Sequence, residues 1–332
     1  MSEIDAKNRF FAKLLLFFAC FAIVAALVPA LAALRIRTYS YALPPDKKIL
    51  FVGDSHIAQG VDDAEIPGAF NSSVSADTYV SAYLRLRLLL RDNPQIDTVF
   101  LGVSPYSISR GSDETLFRPS LVAMKVPYYL PHFGENEWTL YLKRAPKDFL
   151  RAVFLSPSTY LRSSKLSNKK YFKKLGGFNP RENRSLAKAV AATETLEKPL
   201  FWGCEAELIY LEKIRALCEN RGIRLIFLNT PIYSAEKYLN VSHYYETLRE
   251  RFSDIELWDY MNLDVPDDCR EDVNHLNAFG AKRFAKLLAA RIAATDETRQ
   301  ASSGKESRVQ RSVKREPSAR ENSNAKLPAG TS

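Results

Sequence analysis

The sequence predicts an α/β domain, a central parallel sheet covered by helices on both faces, preceded by one helix able to cross a membrane. Three observations carry that class. Short apolar runs stopped by Gly, Asn or Pro recur along the chain, as strands buried on both faces do. Between them lie longer segments with apolar residues at helical spacing, and strands alternating with such helices imply parallel crossovers. Ahead of them all, residues 14–34 carry no charge and no strong polar group, and ~20 such residues suffice to span a bilayer.

Residues 1–13 are a short leader, read as cytoplasmic. Residues 14–34 are the anchor. A cleaved signal peptide is the rival reading, because Ala30-Leu31-Ala32 has the small-x-small form of a cleavage site. The apolar core of a signal is usually only ~7–15 residues, which favours an uncleaved anchor. Basic residues do not orient it: Lys7, Arg9 and Lys13 precede the span, while Arg35, Arg37, Lys47 and Lys48 follow it. A short leader before one large domain favours a single pass with the domain on the extracytoplasmic side. Residues 35–47, with Pro44-Pro45, read as a linker.

The domain is expected over residues 48–295. Lys48–Val52 is an apolar run stopped by Gly53 and reads as the first strand, with a weaker strand at Ala69-Phe70. Asp77 to Arg91 has Tyr79, Tyr83, Leu86 and Leu90 at helical spacing, and Asn93-Pro94 ends it. Thr98–Leu101 is the next strand, broken by Gly102 and Pro105. Residues 107–203 interrupt the alternation and read as an aromatic, basic insertion or lid. A helix from Cys204 to Arg221, a strand Arg224–Leu228, a helix from Ser234 to Phe252 and a short strand Ile255–Trp258 follow. A final helix runs from Asn277, a natural N-cap, to about Ala294. Residues 296–332 are polar, without apolar period, and are expected to be disordered.

The chain has 332 residues, room for one or two domains, and a hydrophobic share of 46%. That excludes collagen, a wholly disordered chain and a multi-span membrane protein. The net charge of +9 is local: it sits in Arg162–Arg184 and in the tail, and the remainder is near neutral. Four cysteines are too few for a disulfide scaffold at this size. Cys20 lies in the span, Cys218 reads as core, and Cys204, Cys218 and Cys269 cannot all pair within one chain. No Cys/His group has zinc-site spacing, so no metal or other cofactor is expected.

In parallel α/β sheets the functional crevice lies beyond the carboxyl ends of the strands. The first strand runs directly into Gly53-Asp54-Ser55-His56. A serine there has an exposed oxygen, a glycine for the tight turn, and nearby N–H groups that can face an anion. After the last strand comes Asp272-Val273-Asn274-His275. Asp and His three apart in a turn can put the carboxylate on one ring nitrogen and leave the other for the serine. Ser55, His275 and Asp272 are therefore the candidate nucleophile, base and orienting acid. Each motif alone is common, since a serine there also caps a helix and a histidine there also sits at a surface. Their joint placement at the first and last strand ends makes the pattern specific.

On these residues the chain resembles the SGNH/GDSL hydrolase superfamily. The resemblance rests on Lys48–Val52 with Gly53-Asp54-Ser55-His56, and on Asp272-x-x-His275-Leu276-Asn277 with Gly280, and covers roughly residues 48–104 and 204–292. It implies a three-layer α/β/α, flavodoxin-like fold and a Ser55–Asp272–His275 triad. The GDSH form with an N-terminal anchor is similar to members that add or remove acyl groups on envelope polysaccharides. Two blocks depart from the family. Ala76 stands where the second block offers an oxyanion glycine. Ser104, in Gly102-Val103-Ser104-Pro105, replaces the asparagine of the third. Asn71 or Asn229 near strand ends could supply that donor instead, although turn or cap duty is their plainer reading. Asp54 and His56 complete the candidate oxyanion and substrate-binding set with Asn71, Ala76 and Ser104.

The expected function is thus ester hydrolysis or O-acyl transfer through an acyl-Ser55 intermediate, with an acylated carbohydrate or another ester as substrate. The alternative is a catalytically weak or inactive scaffold that binds polysaccharide or an assembly partner. Tyr128, Tyr129, Trp138 and Tyr141 in the insertion could stack on sugars or merely pack it. Arg162–Arg184, with Tyr171, Phe172 and Phe178, could meet anionic lipid or an acidic polymer, or be a solvated loop. No nucleic-acid partner is expected, since no nucleic-acid module is recognisable.

Overall fold

A computed structural model describes residues 3–164, 176–182, 198–199, 204–233, 238–239 and 241–313. It divides into two compact units, 1–286 and 287–332. The first is α/β, with one five-stranded, all-parallel sheet. Its strands are β1 (Ile49–Val52), β2 (Ala69–Asn71), β3 (Thr98–Gly102), β4 (Arg224–Asn229) and β5 (Glu256–Asp259), in the order β2-β1-β3-β4-β5. A separate two-residue pairing joins Lys198–Pro199 to Tyr238–Leu239.

The strands form where the sequence is continuously apolar, because both faces of the sheet are covered. All four residues of β1 are buried. Leu50 and Val52 enter a core shared with Val99 and Leu101 of β3 and with the helices α3 (Tyr79–Asp92), α8 (Glu205–Glu219) and α9 (Val241–Arg251). The alternate positions stack among themselves. Phe51 lies parallel to Phe100 at 4.7 Å, and Phe100 meets the edge of buried Trp258 at 4.9 Å. Cys204, Cys218 and Cys269 are buried thiols, and all four cysteines are free.

Helix α1 (Glu3–Arg37) is long and apolar enough to cross a membrane, with exposed side chains over most of Phe10–Leu31 and Ala32 and Ile36 joining the core. It continues into the segment expected as linker. Residues 39–43 are stitched onto the end of α3 rather than left free. Tyr41 N–H donates to Asp92 at 2.7 Å and Leu43 N–H to Asn93 Oδ1 at 2.6 Å, while Asn93 Nδ2 donates to the Tyr41 carbonyl at 2.9 Å. Buried Tyr39 and Tyr41 give the reason: their rings belong to the core. Asp92 and Asn93 lie just before β3, so the anchor meets the domain at the amino-terminal edge of the sheet.

In the insertion, residues 107–164 do not cover the sheet's carboxyl edge. Helices α4 (Arg110–Leu116), α5 (Pro119–Tyr129), α6 (Glu135–Arg144) and α7 (Pro146–Ser164) extend the same core, and α7 lies against α5 and α1. Its aromatics pack. Tyr141 lies in a cluster with Phe133 at 5.6 Å and Phe149 at 5.4 Å, and Tyr129 is buried, its hydroxyl accepting from Arg85 at 3.2 Å. Trp138 stands edge-on to Phe149 while staying 37% exposed, and Tyr128 packs against the core. Most of the basic stretch, including Lys165–Lys174, Tyr171, Phe172 and Arg184, lies outside the described residues.

The final helix, α10 (Ala278–Val313), is longer than expected and takes in residues 296–313, which correct the reading of that part of the tail as disordered. Composition allows it: half of those residues are Glu, Gln, Arg, Lys or Ala, and such side chains lose little rotamer freedom in a helix even without an apolar stripe. Residues 314–332 lie outside the described residues.

Candidate active site

The chain leaves β1 through Gly53, where a close approach excludes any side chain. A Cβ there would fall 2.6 Å from Ile57 Cγ1. Asp54 then caps α2 (Ser55–Gly60): its extended backbone starts the helix, and its Oδ1 accepts from His56 N–H at 2.9 Å. Asp54 therefore builds the turn, which is the reason for an acid at this position. Ser55 becomes the first helical residue, at the carboxyl edge of the sheet.

The partner loop follows β5. Asp272 Oδ1 accepts the backbone N–H of Asn274 at 2.7 Å and of His275 at 2.9 Å. A Glu271 N–H bond to the His275 carbonyl at 3.0 Å closes the loop, and an antiparallel bridge between Arg270 and Leu276 flanks it. Asn277 ends the loop as the N-cap of α10, accepting from Gly280 N–H at 2.9 Å and donating to the carbonyls of Asp268 and Arg270.

These two loops bring three side chains into line. His275 Nε2 lies 2.9 Å from Ser55 Oγ, and His275 Nδ1 lies 3.0 Å from both carboxylate oxygens of Asp272. Burial pushes the Asp272 carboxyl upward, but the His275 contact and the two backbone N–H bonds outweigh it and hold the group below the usual carboxylate range. An ionised carboxylate only accepts, so the network assigns the proton of neutral His275 to Nδ1 and leaves Nε2 to accept from the Ser55 hydroxyl. The His275 side chain is 19% exposed and that of Asp272 37%, so the site opens to solvent.

His56 faces His275, ring centroid to ring centroid at 5.0 Å, with its Nδ1 3.5 Å from Thr230 Oγ1. Burial lowers its pKa, His275 adds to that, and Asp54 and Asp272 oppose it. A neutral ring beside His275 adds no charge that would repel an imidazolium.

No family model and no curated protein matches this chain.

The remaining candidates separate. Asn71 is not a free donor: its Nδ2 gives both hydrogens to the Ile57 and Val61 carbonyls at 3.0 and 2.8 Å, and its Oδ1 accepts from Ser73 N–H at 2.9 Å. It clamps the end of α2, and its committed hydrogens correct its placement in the oxyanion set. Asn229 is committed likewise, donating to Asp259 and accepting from Tyr244. Replacing Asn71 with alanine is expected to destabilise the domain by about 1–3 kcal/mol for each polar group left unpaired in the interior, read as a fall in melting temperature.

Ser104 is folded into its own turn. Its hydroxyl accepts from Ser107 N–H at 3.2 Å and its N–H donates to Ser107 Oγ at 2.8 Å. Ala76 is the one non-glycine residue with positive φ among those described, at 53°. That conformation costs an L-residue about 1–2 kcal/mol, and a buried charge cluster holds it in place. Lys125 Nζ donates to the Ala76 carbonyl and pairs with Asp77 at 3.0 Å, and Asp77 also takes Arg85 at 2.6 Å. The alanine thus adopts the backbone that a glycine would.

A strap within the segment read from the sequence as an insertion or lid crosses this region. Gly177 N–H donates to the Ser73 carbonyl at 3.0 Å, Asn179 N–H to Ala58 at 2.7 Å, and the Arg181 carbonyl accepts from Ala278 N–H at 2.8 Å. One short segment so ties the loop after β2, the helix bearing Ser55 and the helix following His275. Gly176 permits it, with φ at 122° and space so tight that a Cβ would lie 2.5 Å from the Ser72 carbonyl oxygen. The Gly176-Gly177 pair inside a basic stretch was the available signal. Among the described residues no cluster of His, Cys, Asp or Glu is placed to hold a metal ion.

Proposed function

We propose that this chain is a membrane-anchored serine hydrolase or O-acyltransferase of the SGNH/GDSL type, with an acylated envelope polysaccharide as its substrate class. The observation that carries the reading is the continuous Ser55–His275–Asp272 chain of hydrogen bonds at the carboxyl edge of the sheet. The strand order supports the finer fold assignment: 2-1-3-4-5 is the flavodoxin-like order, with its crevice where β1 meets β3, directly below Ser55.

In this reading Ser55 Oγ attacks the acyl carbonyl while His275 Nε2 takes its proton. Asp272 stabilises the imidazolium. The tetrahedral intermediate collapses as His275 returns that proton to the departing alcohol oxygen, leaving acyl-Ser55. Water or a second sugar hydroxyl, deprotonated by His275, then takes the acyl group. The backbone N–H groups of Ser55 and Ala76 are the oxyanion donors in this reading, since the Asn71 amide is committed elsewhere. Because the anchor is stitched to the amino-terminal edge and the site lies at the other, a four-residue strand (about 13 Å) separates the catalytic edge from the anchor's end. That spacing suits a polymer outside the bilayer better than a lipid within it.

The expected result is that a fluorophosphonate probe labels the wild-type chain at Ser55 and leaves Ser55→Ala unlabelled. Absent labelling of the folded wild type would instead favour the scaffold reading, which the altered third block at Ser104 supports.

A further inference from the structure

A second cleft lies at the opposite edge of the domain, where the anchor ends. Its volume is about 340 Å³, within the range of ligand sites. Arg37 closes α1, Arg87 and Arg91 project from α3, Arg221 follows α8, and His132 stands between them, over an apolar floor. Asp92 answers Arg91, at 2.7 Å. Arg37 and Arg221 donate only to the neutral carbonyls of Pro131 and Leu90, and Arg87 leans on the Tyr83 ring at 5.5 Å. Among the described residues no carboxylate pairs with Arg37, Arg87 or Arg221. The cleft therefore holds three uncompensated guanidinium groups.

Two further observations point to an anion. His132 Nε2 is buried with no hydrogen-bond partner among the described residues. Burial, reinforced by Arg37, Arg91 and Arg87, pushes the His132 pKa down to about 4, so the ring stays neutral and reports the positive potential around it. Position then narrows the source. The apolar helix Lys7–Arg37 has 31 residues, which at 1.5 Å each gives about 46 Å, the thickness of a bilayer with its head groups. Arg37 is its last residue, so the cleft opens at head-group level when α1 spans the membrane.

We propose that the cleft formed by Arg37, Arg87, Arg91, Arg221 and His132 binds the phosphate of an anionic phospholipid head group. The planar guanidinium fork matches phosphate oxygens bidentately, and three such groups line the cleft with no carboxylate paired to them among the described residues. Binding there would fix how the domain stands on the membrane and leave the catalytic edge free. It rests on the anchor reading but not on the chemistry of Ser55.

The test uses the full-length chain in detergent and measures, by native mass spectrometry, the retention of short-chain phosphatidylglycerol, phosphatidylcholine and inorganic phosphate. Wild type is expected to retain phosphatidylglycerol at least tenfold better than the other two. The Arg87→Gln/Arg221→Gln double variant is expected to lose that preference while keeping the far-ultraviolet circular dichroism of wild type. Equal retention of the two lipids by wild type overturns the proposal, and that comparison stands even if the double variant fails to fold. Unchanged preference in a folded double variant overturns it too. Inorganic phosphate retained as well as phosphatidylglycerol would make this a soluble-anion site and overturn the lipid assignment.

Discussion

Ser55→Ala is expected to lower kcat/KM for an aryl acetate by about 10³–10⁶-fold, with the melting temperature nearly unchanged. The stability expectation follows from position. Ser55 is the first residue of α2, and the cap is made by the Asp54 side chain, not by the serine hydroxyl. His275→Ala should cost about as much, because the hydroxyl is a weak nucleophile without a base at 2.9 Å. The informative experiment is the double variant. If serine and histidine act as one unit, the second substitution adds almost nothing to the first. Full additivity would mean that the two side chains act separately, and residual turnover within tenfold of wild type in Ser55→Ala would dismiss the serine mechanism.

Much of this arrangement was legible because its signals are local. Lys48–Val52 reads as a buried strand from five consecutive residues, and Asp272 and His275 lie three apart in one turn. Joining them across the chain needed only the rule that parallel strands present their carboxyl ends together. What stayed hidden depends on long-range pairing of polar atoms. Asn71 looks like a donor near a strand end, and nothing local reveals that Ile57 and Val61 take both its hydrogens. Residues 39–43 look like a linker because Asp92 and Asn93, which stitch them down, lie some fifty residues further on. Short helices could be read in the insertion, but its aromatics suit a binding surface and a packed core equally well, so their packing was hidden.

The second large effect is expected at Asp272→Asn: a fall in kcat of about 10²–10⁴-fold with little change in KM. An asparagine would keep the loop, because its carbonyl oxygen can still accept the N–H groups of Asn274 and His275. It would fail at the ring. Its amide can donate to His275 Nδ1, which moves the ring proton to Nε2 and removes the acceptor for the Ser55 hydroxyl. The pH dependence separates this loss from a general one. The folded Asp272 pKa lies below its ordinary value, so the carboxylate remains ionised through the neutral and mildly acidic range. Whatever stability it contributes is present in full above the ordinary aspartate value and is lost as the pH falls through the lower, folded value. The wild-type rate should therefore show no loss assignable to Asp272 above about pH 4, near the unperturbed aspartate value. The variant should be slow at every pH and should melt somewhat below wild type at neutral pH, where the contribution of the ionised carboxylate is lost. A variant that regains the wild-type rate at any pH would show that Asp272 positions the loop but does not select the tautomer.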